Sequence, residues 1–137
     1  MMTQTMSDLV QTARQRIREI GADDLHESLE SGQDVVIVDV REPYEYEKGH
    51  IPDSVLVPRG LLEAASDPNT PHRIEALYSA RERLVVLVCG TGGRSAMAAD
   101  TLQQLGFSDV RSLAGGMKMW EAEEYPVAQG AYAGSLP

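Results

Sequence analysis

Two stretches of the chain are apolar without alternation: Val35-Val36-Ile37-Val38-Asp39-Val40 and Leu84-Val85-Val86-Leu87-Val88-Cys89. Short β-branched runs of this kind belong to strands buried on both faces of a parallel sheet, so helices are expected on either side of it. The intervening sequence supplies Ser54-Val55-Leu56-Val57, a third strand stopped by Pro58, and helical spacing from Ile74 to Arg81. Beyond Cys89, Ala98, Leu102 and Leu105 share one face of a helix over Ser95 to Leu105 that stops at Gly106. A short strand from Val110 to Leu113 follows. Gly115-Gly116 then turns the chain into a last helix that contains Trp120 and ends at Tyr125-Pro126.

At the start, Leu9, Val10, Ala13, Ile17 and Ile20 fall near helical spacing, predicting an amphipathic helix terminated by Gly21. Asp24 with Glu27 reads as a capping box for a second short helix that ends at Ser31-Gly32. Pro68 to Pro71 reads as a surface loop and the tail from Ala128 as frayed. Strands alternating with helices predict an α/β domain of three layers, a mostly parallel central sheet flanked by helices. The organisation expected is a helical extension over residues 1–20, the domain over 21–127 and a tail over 128–137.

Length and charge narrow the function. With 137 residues one domain with a real core is expected, and 42% hydrophobic against 24% charged residues is ordinary globular usage. No apolar run reaches membrane-spanning length, and the N-terminus lacks the pattern of a signal peptide, which predicts a cytoplasmic protein without membrane contact. A single cysteine and the scattered His26, His50 and His72 imply neither a disulfide nor a metal site. A net charge of -9 argues against nucleic acid, and means that an anionic substrate must be captured locally against the global field.

One candidate for chemistry stands out. Cys89 ends a buried strand and is followed by Gly90, Thr91, Gly92, Gly93, Arg94 and Ser95 at the start of a helix. Three glycines let the backbone curl so that successive N–H groups face one point, the helix start adds positive potential there, and Arg94 brings a planar cation. Such a field favours a thiolate and would hold an anion against it. The competing reading, a cysteine that is merely a small buried hydrophobe, fits the strand but not the glycine-rich loop closed by arginine. A nucleotide-binding loop is disfavoured because the lysine and hydroxyl pair is missing.

Asp39-Val40-Arg41-Glu42-Pro43 with Glu45-Tyr46, Gly49-His50-Ile51-Pro52, the Cys89 loop, and Leu113-Ala114-Gly115-Gly116 with Trp120 together resemble the rhodanese family in order and spacing, from about Ile20 to Val127. The resemblance implies a rhodanese-like domain in which Cys89 carries a sulfane sulfur as a persulfide. The sulfur would pass from a small anionic donor such as thiosulfate to a thiophilic acceptor such as cyanide, or to an acceptor protein, with no cofactor. The alternative is a rhodanese-like binding or sulfur-relay module with little free thiosulfate turnover. From Cys89 to Arg94 is six residues, whereas related phosphatases and arsenate reductases use a loop one residue longer, and Ser95 stands where their arginine would be.

Asp39 and Arg41 are expected either to shape the rim of the site or to pair in a structural network. His50 is expected to stabilise its turn, Trp120 to fill the core, and Arg59 to add positive charge near the mouth. Asp53-Ser54 replaces the Gly-Ala pair common in the family, a local turn difference, and the loop lacks the second basic residue of several thiosulfate-using relatives. The N-terminal helix can serve as a core extension or as a homodimer contact.

Overall fold

The computed structural model describes residues 3–136; the first two residues of the expected extension and the last of the expected tail lie outside it. Five strands form one all-parallel sheet in the order β1-β5-β4-β2-β3, with β1 Arg18–Ile20, β2 Val35–Asp39, β3 Val55–Leu56, β4 Leu84–Val88 and β5 Asp109–Leu113. β2 and β4 lie at the centre, in register from Val35 opposite Leu84 to Asp39 opposite Val88. Their side chains split between two cores. On one face Val36, Val38, Val85 and Leu87 pack under α4 (Leu62–Ser66), α5 (Glu75–Tyr78) and α6 (Gly93–Gln104). On the other, Ile37, Val86 and Val88 meet Leu25 of α2 (Ala22–Glu30) and Met117 and Trp120 of α7 (Gly116–Ala122). This is the three-layer α/β arrangement expected, and burial on both faces explains the unbroken apolar runs.

Several local expectations are corrected. The first helix, α1, spans Met6–Arg16 and does not run to Gly21, because Arg18–Ile20 leaves it as edge strand β1, parallel to β5 with Ile20 opposite Leu113. Ile17 and Ile20 fit helical spacing but do not share a helix. α2 starts at Ala22 with Gly21 as N-cap, so Asp24 lies inside the first turn and Asp24 with Glu27 is not a capping box. Its charge still suits the positive end of the helix. Capping boxes occur instead at Thr5 with Asp8, opening α1, and at Glu42 with Glu45, opening α3 (Pro43–Lys48). The tail is tied down rather than frayed at its start: His50 and Ala128 exchange backbone hydrogen bonds, Gly130 N–H donates to Glu47 O, and Tyr132 stands edge-on to Tyr46.

α1 is part of the domain's packing. Val10 and Ala13 bury themselves against Ala96 of α6, and Arg16 pairs with Asp100 at 3.4 Å. The extension therefore lies along the helix that begins with the cysteine loop. Among the described residues no helix is long and apolar enough to cross a membrane.

Candidate active site

The loop begins where β4 emerges from the sheet and ends where α6 starts. Cys89 is buried, with 1% of its surface exposed. Gly92 N–H donates to its Sγ at 3.1 Å and Ser95 N–H at 3.3 Å. Ser95 Oγ lies 3.3 Å from the same sulfur and 2.8 Å from Ser112 Oγ on β5, and both serines are fully buried. A sulfur anion would thus accept two N–H groups and one hydroxyl, with Ser112 donating to Ser95 behind it. Gly92 makes this possible: its φ of +105° lies in the left-handed region and turns its amide inward. The amides of Gly93 and Arg94 belong to the first turn of α6 and have no carbonyl partner within the helix.

Arg94 differs from the free cation that the sequence suggested. Its Nη1 and Nη2 donate to the two carboxylate oxygens of Glu45 at 2.8 and 2.9 Å, a two-point pair across the mouth of the loop. The hydrogen bond from Arg94 holds the Glu45 carboxyl below the ordinary range, and Glu45 in turn raises the guanidinium further above its already high value. Glu45 also accepts from Glu42 N–H at 3.2 Å, so the box that opens α3 fixes the partner of the loop arginine. Its role was not foreseen from sequence, although the motif containing it was.

Asp39 and Arg41 form a buried network at the end of β2. Arg41 donates through Nε and Nη2 to Asp39, at 3.0 and 2.9 Å for the shortest contacts, and through Nη2 to Gly49 O at 2.7 Å. Asp39 Oδ1 also accepts Arg41 N–H at 3.0 Å. The pair ties β2 to the end of α3. His50 stacks on Tyr46 with ring centres 3.6 Å apart and contacts Tyr46 O through Nδ1 at 2.8 Å, and Trp120 lies in the core with Nε1–H donating to Pro126 O. Arg59 is committed to Glu63 and to Thr101, which lies about 12 Å along α6 from its first residue. Asp53 adopts φ +66°, so the Asp53-Ser54 turn holds an aspartate in the left-handed region.

The Gly115-Gly116 pair braces the loop from below. Both have positive φ, and Met117 N–H and Lys118 N–H donate to Cys89 O and Gly90 O at 2.8 and 3.0 Å. A Cβ on Gly116 would fall 2.4 Å from Cys89 O. The motif is therefore a backbone contact with the cysteine loop, a relationship between distant segments that the sequence pattern does not display.

Comparison with known proteins agrees with this architecture. The family model described as Rhodanese-like domain matches residues 21–123. The thiosulfate sulfurtransferase GlpE of Pseudoalteromonas translucida is 39% identical over 66% of this chain and 76% of its own length. A probable adenylyltransferase/sulfurtransferase of Mycobacterium tuberculosis, MoeZ, is 34% identical over 75% of this chain, which spans only 24% of that longer protein. A solved structure from Rhodopseudomonas palustris, described as a protein of unknown function and possible tyrosine phosphatase, superposes with a TM-score of 0.86 at 33% identity, covering 93% of this chain and 97% of the other.

Proposed function

The chain belongs to the rhodanese-like domain family, and from that premise we propose that it is a sulfurtransferase that moves a sulfane sulfur through a persulfide on Cys89. The observation that carries the proposal is the convergence on Sγ of Gly92 N–H, from the six-residue loop, and of the N–H and Oγ of Ser95, the residue that follows it. In the first half-reaction the Cys89 thiolate attacks the outer sulfur of thiosulfate. The new S–S bond forms as the old one breaks, and the electron pair leaves with sulfite, giving a persulfide anion on Cys89. In the second, cyanide or another thiophile attacks the outer sulfur and regenerates the thiolate, so neither half-reaction needs an oxidant or reductant. The donors around Sγ serve both steps, since negative charge resides on sulfur before and after each.

Arg94 holds the loop shape through Glu45, and Asp39 with Arg41 supports the strand end beneath it. The phosphatase description of the R. palustris protein does not transfer: Glu45 occupies both terminal nitrogens of the loop arginine, and the loop is one residue shorter than that of the phosphatases with a similar fold. Domains of this family within longer proteins, of which MoeZ is one, make a protein acceptor the alternative to a free thiophile. Incubation with thiosulfate and cyanide tests the proposal. Thiocyanate forms with the native chain and not with Cys89→Ser, and equal inactivity of both, without sulfur on Cys89, would refute it.

A further inference from the structure

Resting on the sulfur-transfer reading for its chemistry, we infer that Arg14 of α1 is a specificity residue whose charge favours an anionic sulfur donor at Cys89. The family match begins at residue 21, so α1 is an addition to the matched domain. Its packing on α6 brings it against the loop: the position where a side chain would start on Gly93 lies 3.4 Å from Val10 Cγ2, and that on Gly92 lies 3.5 Å from Arg14 Nη2, beside Gly115 N and Leu113 O. Val10 and Arg14 are one helical turn apart and so share the face of α1 turned to the loop. Gly92 is also the residue whose amide donates to Cys89 Sγ at 3.1 Å. This chain of contacts keeps the Arg14 guanidinium no more than about 10 Å from the sulfur, roughly one Debye length at 0.1 M salt, so that its charge acts on a small anion bound there.

The site needs such a cation. Arg94, the only charged residue from Cys89 to Ser95, is neutralised by Glu45, and the net charge of -9 repels anions from the molecule as a whole. Arg16 and Arg111 are paired with Asp100 and Asp109, and Lys118, whose N–H donates to Gly90 O, is another cation beside the loop. Arg14 is held more loosely: its contact with Glu19 is 3.8 Å long and made through Nε, with 41% of the Arg14 side chain exposed, and its Nη2 is turned toward Gly92. α1 thereby supplies the second basic group that the loop sequence lacks.

A pair of alkylating reagents of the same reactivity class but different charge tests this without sulfur transfer. Rates of Cys89 modification by iodoacetate and by uncharged iodoacetamide are compared in the full chain. Arg14→Ala lowers the iodoacetate to iodoacetamide ratio about three- to fivefold, the size of one partly exposed ion pair, and Arg14→Lys retains most of it. Glu19→Gln, which removes the ion-pair partner but keeps the cation, leaves the ratio unchanged or higher. An unchanged ratio in Arg14→Ala, an equal fall of both rates, or a Cys89 that reacts with neither reagent overturns the inference. Failure of the sulfur-transfer reading looks different: no sulfur is loaded from thiosulfate although the charge preference and its loss are intact.

Discussion

Arg94 and Glu45 meet as a two-point ion pair at 2.8 and 2.9 Å, so the arginine of the cysteine loop is anchored to α3 rather than presented free to a ligand. Two consequences follow for the site: its shape depends on α3, and under the proposed function its attraction for an anionic donor would come from backbone amides and from elsewhere in the fold.

The pair makes stability pH-dependent. Because the Arg94 hydrogen bond depresses the carboxyl pKa of Glu45, the contribution is complete above about pH 4.5, the ordinary value, and is lost as pH falls through the lowered folded value. Both side chains are partly exposed, so solvent screening keeps it below about 1 kcal/mol. Glu45→Gln should lower the melting temperature at pH 7 and flatten its decline in acid relative to the native chain. Parallel acid profiles for the two proteins would contradict the assignment.

Ser95 and Ser112 should separate by their distance from the sulfur. Ser95→Ala removes the only side-chain hydroxyl that contacts Sγ among the described residues and is expected to slow sulfur transfer about tenfold or more. Ser112→Ala leaves Ser95 in place and should cost less than about threefold. Single-turnover rates of persulfide formation make the comparison, and a larger effect at Ser112 would point to a role in packing instead.

Much of this arrangement was legible in the sequence. β2 and β4 announce themselves because both faces are buried, and the cysteine loop can be read because its residues are contiguous. β1 could not be read, since two of its three residues are exposed on an edge and its Ile20 falls in helical register with Val10, Ala13 and Ile17. α3 buries only Tyr46, leaving almost no periodicity to detect. The partners that shape the site, Glu45, Ser112 and Arg14, come from three other elements and are joined to the loop only by folding.

The buried pair Asp39 and Arg41 predicts a large asymmetry in stability. Asp39→Ala strands a guanidinium that is 8% exposed and should cost about 3–5 kcal/mol in urea unfolding. Asp39→Asn, which keeps one oxygen for Arg41 N–H, should cost less. If Asp39→Ala instead folds normally and loses only activity, the pair belongs to the reaction rather than to the scaffold.

Gly116 and Gly106 isolate the contact beneath the loop. Both have positive φ, so alanine strains the backbone at either, by about 1–2 kcal/mol. Only at Gly116 does the added carbon meet Cys89 O, whereas at Gly106 it meets open space. Gly116→Ala should therefore lower the melting temperature further and reduce sulfur loading per folded molecule, which Gly106→Ala leaves intact. Equal effects would show that the Gly116 contact does not set the loop.

The central claim is that Cys89 carries the sulfur, and intact-mass measurement during one turnover tests it most directly. After thiosulfate and removal of excess donor, the native chain should gain the mass of one sulfur atom, mapped to Cys89, and lose it on addition of cyanide with release of one equivalent of thiocyanate. Cys89→Ser should gain nothing. Thiocyanate production by the native chain with no mass added to Cys89 at any stage, or equal production by Cys89→Ser, would contradict the account.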